Sequence, residues 1–278
     1  MNAIELQNGK ATLFRAMHRG PKVLVLANAW DVASARVLEE SGFGAIATTS
    51  AGVAFSLGYP DGQKISLEEM LARVGRIARA VKVPVTADVE SGYGNRPEDA
   101  AQTARDVITA GAVGMNLEDD NHSDSTPLAD LSLQLEKIHA VKEAAMKARV
   151  LLVLNARTDV YLLEVGAPEK RYDEALKRLT AFRDAGAECV FIPGVRDPET
   201  ISRFVRDLQC PVNILAGPGS PSIPELEKLG VARVSLGSAP MRATLGLLAR
   251  IAGELQGAGT YNFLEGAPPH NKVNRMLS

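Results

Sequence analysis

Eight short apolar segments alternate with helix-forming stretches along this chain, and most end in polar or acidic residues. They are residues 23–30, 45–50, 84–90, 114–119, 150–157, 189–195, 211–217 and 233–238. Near-continuous apolar runs of this length suit parallel strands buried on both faces, and a helix must carry the chain back between parallel neighbours. The alternation predicts a (β/α)8 TIM barrel. In that architecture the chemistry sits at the strand C-termini, so the residues found there carry the functional argument.

Helix signals fit the same frame. Residues 2–19 form a leading helix. Asp31 caps a helix over 32–41, which Gly42 closes. Ser66 with Glu69 is a capping box. Pro97, Pro168 and Pro198 each open a helix, and residues 129–147 form a long one. No linker interrupts the series, so residues 1–278 read as one barrel domain. The tail from about residue 257 lacks helical period and is expected either to be disordered or to pack on a neighbouring subunit.

The formal charge is −2, from 31 basic and 33 acidic residues, which argues against a nucleic-acid partner. No apolar run is long enough to span a membrane. The first twenty residues carry Glu5, Lys10, Arg15 and Arg19, so no leader is expected and the protein reads as cytoplasmic. Cys189 and Cys210 read as reduced thiols.

Asp88 and Glu90 stand two apart at the end of the third segment and therefore share a face. Glu118 ends the next strand beside them. An oxygen-only set of this kind suits a hard divalent cation such as Mg²⁺. The competing reading makes these acids helix caps, but an Asp88/Glu90 pair would then repel itself. Arg157 ends the fifth segment, where a guanidinium binds a carboxylate in two-pronged fashion; the alternative is an ion pair with Asp159. Thr49, Ser50 and Ala51 follow the second strand and offer hydroxyls and N–H groups to an anionic oxygen. Asp61, in the long loop 51–64, is either a Pro-Asp-Gly turn residue or an acid-base group over the mouth. Asn213 belongs to the side chains expected to line the pocket.

These motifs, in this order, resemble the isocitrate lyase/phosphoenolpyruvate mutase superfamily. The specific pieces are Gly58-Tyr59-Pro60-Asp61, Ala87-Asp88-Val89-Glu90-Ser91-Gly92-Tyr93-Gly94, Leu117-Glu118-Asp119 and Asn155-Ala156-Arg157-Thr158-Asp159. The resemblance implies Mg²⁺, or Mn²⁺ in its place, among Asp88, Glu90 and Glu118, partly through water. It implies that Arg157 binds the substrate carboxylate, that Thr49, Ser50 and Ala51 hold substrate oxygens, and that Asp61 lies close to the reacting group. It also implies a homo-dimer or homo-tetramer that exchanges the last barrel helix.

The loop after strand four departs from both branches of that family. The lyase branch carries a Lys-Arg-Cys-Gly-His run there, with cysteine as the catalytic acid or base. The mutase branch carries Lys-Thr-Asn-Ser. This chain has Asp119-Asp120-Asn121-His122-Ser123-Asp124-Ser125-Thr126 instead, in a loop several residues shorter. Asn121 and Ser123 stand where the mutase residues would, and His122 is a candidate replacement acid. A histidine that contacts phosphorus in mutases matches Pro193. The expected activity is Mg²⁺-dependent C–C cleavage, by a lyase or decarboxylase, of a small 2-oxo or 2-hydroxy acid through an enolate, with Asp61, Arg157 and Glu118 catalytic. The alternatives are phosphoenolpyruvate/phosphonopyruvate mutase or C–P hydrolase chemistry, and a non-catalytic barrel that binds such an acid.

Overall fold

A computed structural model describes residues 3–122 and 126–278. Nine parallel strands form one sheet: β1 (Leu24–Leu26), β2 (Asn28–Ala29), β3 (Ile46–Thr48), β4 (Val85–Ala87), β5 (Gly114–Glu118), β6 (Val153–Arg157), β7 (Cys189–Phe191), β8 (Val212–Leu215) and β9 (Arg233–Ser235). Their order is β1-β9-β8-β7-β6-β5-β4-β3-β2. The two ends of that order, β1 and β2, follow each other in the chain. They are one expected strand broken at Ala27, its first half paired with β9 and its second with β3. The sheet therefore curls round into the expected barrel, with one strand bridging the seam.

The helices are α1 (Ala3–Met17), α2 (Val32–Glu40), α3 (Ser50–Ser56), α4 (Leu67–Ala80), α5 (Pro97–Thr109), α6 (Leu131–Ala148), α7 (Arg171–Asp184), α8 (Pro198–Leu208), α9 (Ile223–Lys228), α10 (Ala239–Gln256) and α11 (His270–Leu277). Asp31 caps α2, Ser66 and Glu69 form their capping box, and Pro97 and Pro198 open α5 and α8 as expected. Pro168 instead opens a short 3-10 turn that leads into α7. The apolar core, with Val74, Leu117, Ile138, Leu179 and Phe204 fully buried, joins helices to strands. A smaller cluster around Phe14 of α1 plugs the strand N-termini. Gly114 is required there, since a Cβ on it would lie 2.8 Å from Phe14 Cε1.

Two expectations need correcting. The loop over 51–64 begins as α3, because Thr49 caps a turn of small residues that tolerates close packing. The tail after residue 257 does contain a helix. α11 starts behind Pro268-Pro269, and its Val273, Met276 and Leu277 recur at helical spacing. It lies against α2 of its own chain, with Arg36 Nε donating to the Met276 carbonyl at 2.7 Å. By contrast, residues 242–250 of α10 are all exposed. Among the described residues no helix is long and apolar enough to cross a membrane.

Candidate active site

The interior of the barrel is polar from floor to mouth. Asn116 of β5 donates to Asp88 Oδ1 at 3.1 Å and accepts from Asn155 Nδ2 of β6 at 2.8 Å. Asn213 of β8 is fully buried and exchanges hydrogen bonds with Ser235 of β9 at 3.2 and 3.3 Å. Its register partners are Phe191 of β7 and Arg233 of β9.

Asp88 leaves β4 with its other oxygen, Oδ2, accepting from the N–H and the hydroxyl of Ser50, both at 2.9 Å. The hydroxyl of Thr49 accepts from Gly52 N–H at 3.2 Å as the α3 cap, and Ala51 is buried in the first turn of that helix. Thr49 and Ser50 are therefore engaged with protein groups, Ser50 directly with an acid of the cluster.

Glu90 sits on a turn whose backbone enters the left-handed region, with φ +52° at Glu90, +92° at Gly92 and +54° at Tyr93. Strain of this kind on non-glycine residues is characteristic of functional sites. Gly92 suits its place doubly, since a Cβ would lie 3.0 Å from Leu117 Cδ1. From α6, the buried Lys137 ties the turn down, its Nζ donating to the carbonyls of Gly94 at 2.7 Å and Ser91 at 3.2 Å. From the opposite loop, Gln63 donates its N–H to Glu90 Oε2 at 2.7 Å and its side chain to Ser91 Oγ at 2.6 Å.

The acids strain one another's ionisation. Burial, then the charges of Asp88 and Asp61, push the Glu90 carboxyl up to about 8. Glu118 rises well above the usual range through burial, and Asp159, Asp88 and Glu90 add to this while Arg157 opposes it. Asp61 stands at the exposed rim, where desolvation of its carboxyl and then Asp88 raise it. Asp61, Asp88, Glu90, Glu118 and Arg157 thus act on one another at one mouth. Ligand atoms of Glu90, Glu118 and His122 lie within 4.8 Å of one another, as do those of Glu118, Asp120 and Asp159. His122 Nδ1 is 3.3 Å from Asp120. Ser123 of the same loop lies outside the described residues, and so do Asp124 and Ser125.

Arg157 is doubly held. Its Nε and Nη2 donate to the two oxygens of Asp159 at 2.6 and 2.9 Å, and its Nη1 pairs with Glu118. Asp159 and Thr158 are in turn fixed by Asp119, which accepts from Asp159 N–H at 2.9 Å, Thr158 Oγ1 at 2.7 Å and Arg178 Nη1 at 3.1 Å. The ion pair with Asp159, weighed from sequence as an alternative to substrate binding, is present.

Sequence reasoning overlooked Tyr93 as a side chain. Its hydroxyl is buried without a hydrogen-bond partner among the described residues, and burial followed by the charges of Glu90, Asp88, Asp61 and Glu118 raises its pKa far above the ordinary phenol value. An aromatic residue between two glycines at a strand end was the available signal. Asn116 was overlooked too, although it stands two before Glu118 and so shares its face.

A family model described as phosphoenolpyruvate phosphomutase matches residues 14–256. An uncharacterized protein of Mycobacterium tuberculosis is 38% identical over 232 residues, 84% of each chain. The 2,3-dimethylmalate lyase of Eubacterium barkeri is 30% identical over 231 residues, 79% of this chain and 77% of the lyase. Among solved structures, a Burkholderia cenocepacia J2315 protein assigned provisionally as a lyase/mutase superposes with a TM-score of 0.92 at 39% identity, covering 98% of this chain and 96% of that one.

Proposed function

The chain belongs to the phosphoenolpyruvate mutase/isocitrate lyase superfamily, and from that premise we propose that it is a Mg²⁺-dependent enzyme cleaving a C–C bond in a small 2-oxo or 2-hydroxy carboxylic acid through an enolate. The carrying observation is the convergence of Asp61, Asp88, Glu90, Glu118 and Arg157 at the C-terminal mouth of the barrel. The donor set fits a hard cation. It is made of carboxylate oxygens, and Glu90 is held to about 8 by burial and its acidic neighbours, a penalty that a bound divalent ion removes. Asp88, Glu90 and Glu118 would hold the ion, in part through water. Mg²⁺ supplies Lewis-acid stabilisation of the charge that develops on the 2-oxo oxygen.

The protein's own groups do the rest. Arg157 takes the substrate carboxylate on the N–H bonds that Asp159 leaves free. Ser50 keeps Asp88 turned toward the mouth. Asp61 exchanges a proton with the substrate's 2-hydroxyl at its own Oδ atoms, a task that its raised carboxyl suits. His122, beside Glu90 and Glu118, takes the place of the missing loop cysteine and delivers a proton to the carbon that keeps the electron pair when the C–C bond breaks. The surroundings favour a carbonyl-carboxylate over a phosphorus group, because the acidic side chains that meet there offer few cationic partners to phosphoryl oxygens. We further read α10 as the helix exchanged between subunits in a dimer or tetramer.

The test is thermal unfolding with and without Mg²⁺, against oxalate, pyruvate, oxaloacetate and phosphonopyruvate, followed by turnover of 2-oxo and 2-hydroxy acids. A Mg²⁺-dependent upward shift with oxalate, a planar enolate mimic, supports the reading. No shift with any compound would move the non-catalytic barrel to first place.

A further inference from the structure

The floor of the barrel holds a buried cation with no carboxylate of its own. Arg233 of β9 is 1% exposed, and its Nε and Nη1 find no hydrogen-bond acceptor. A charge withdrawn from water without a partner is costly to a fold. Among the described residues, its guanidinium makes one hydrogen bond, Nη2 to Asn116 Oδ1 at 3.5 Å, straight across the barrel from β9 to β5. Phe14 closes the space beside it, with the guanidinium carbon 6.0 Å from the ring centroid. His18 is kept neutral there, its pKa pushed down to about 4 by burial and then by Arg233.

Asn116 connects this floor to the mouth. Its Oδ1 also accepts from Asn155 Nδ2 at 2.8 Å. With the oxygen claimed by two donors, the amide must present its NH₂ to the other side, where Nδ2 donates to Asp88 Oδ1 at 3.1 Å. Asp88 Oδ2 is held by Ser50. The carboxylate is thereby oriented from two directions.

We propose that Arg233 is a positioning residue for the active site: acting through Asn116, it fixes the orientation of Asp88. This rests on the reading of Asp88 as a metal-holding acid. Groups that orient a metal-binding side chain from behind typically govern affinity by about 10- to 100-fold.

The experiment compares Arg233→Met, Arg233→Lys, Asn116→Ala and the Arg233→Met/Asn116→Ala double variant. It measures Mn²⁺ affinity by calorimetry and unfolding temperature in EDTA. Arg233→Met should unfold at or above the wild-type temperature, because an unpaired buried charge has gone, yet bind Mn²⁺ about 10-fold or more weakly. Arg233→Lys should recover much of the affinity, and the double variant should bind no worse than Asn116→Ala alone. Wild-type Mn²⁺ affinity in Arg233→Met, or in Asn116→Ala should the first variant fail to fold, would overturn the proposal while leaving the metal reading intact. Wild-type protein that binds no Mn²⁺ would overturn both.

Discussion

Arg157 lays two edge nitrogens on Asp159, Nε on Oδ1 at 2.6 Å and Nη2 on Oδ2 at 2.9 Å, while its third nitrogen faces Glu118. The fork that a substrate carboxylate would use is therefore partly occupied by the protein's own carboxylate. This fixes the guanidinium and leaves one N–H each on Nη1 and Nη2 for the ligand. Arg157→Lys removes the fork. With about 1.5–3 kcal/mol for a hydrogen bond to a charged group, KM should rise about 10- to 100-fold. Steady-state kinetics on the best substrate checks this. An unchanged KM would make Arg157 only the clamp between Asp159 and Glu118.

The Glu90 carboxyl is held at about 8, against an ordinary 4.5, by burial and then by Asp88 and Asp61. Between those two values the folded, metal-free protein binds a proton that the unfolded chain has lost. This group's contribution to stability therefore falls as pH rises from about 4.5 through about 8. Added Mg²⁺ should flatten that fall, and its binding should release protons below pH 8. Unfolding temperatures from pH 5 to 9, with EDTA or with Mg²⁺, read both effects. Glu90→Gln should remove this contribution to the slope in EDTA together with the Mg²⁺ effect. A Glu90→Gln variant whose slope in EDTA matches that of the wild type would contradict the placement of Glu90.

Much of this was legible in the sequence. The apolar runs located the strands but overran their ends: β4 stops at Ala87, so Asp88 and Glu90 come to the mouth through the turn at Glu90, φ +52°, and not through the i, i+2 alternation of a strand. What stayed hidden depended on contacts between distant segments. No local pattern tells that Ser50 is bound to Asp88, or that Gln63 reaches Glu90 across 27 residues. Arg233 is no more than a cation at the start of a strand in the sequence, and only barrel closure brings it opposite Asn116. The helix α3 was missed because a run of Ser, Ala and Gly carries little propensity signal, and its cap, Thr49, looked like a strand residue.

Lys137 crosses from α6 to hold two carbonyls of the Ser91–Gly94 turn. Lys137→Met keeps the apolar stem but leaves both carbonyls without their donor. That should cost about 1–3 kcal/mol of stability. Because the same turn sets Glu90 and Tyr93, Mg²⁺ affinity should fall as well. Denaturant unfolding and calorimetry separate the two effects, and an unchanged affinity would show that the turn keeps its shape without the lysine.

Asp61 stands on the rim and shares no hydrogen bond with Asp88, Glu90 or Glu118, so its removal should spare the metal. Asp61→Ala is expected to lower kcat at least about 100-fold, the usual range for a group that moves a proton. Mg²⁺ affinity should hold or tighten slightly, since Asp61 adds to the repulsion on Glu90. Full turnover in this variant would return Asp61 to the role of a Pro-Asp-Gly turn residue.

Along α10, leucines stand exposed. Leu245, Leu247 and Leu248 are 47, 45 and 61% exposed, whereas only Met241 near the start of the helix is buried. Three leucines left in water on one helix forgo about 1.5–3 kcal/mol each of burial, which packing against a second copy of the chain would recover. Light scattering should therefore report a dimer or tetramer. Leu247→Glu/Leu248→Glu should dissociate it, because two carboxylates would have to be buried at the contact. A wild-type monomer at micromolar concentration would rule out the exchange and leave the exposure of α10 to some other partner.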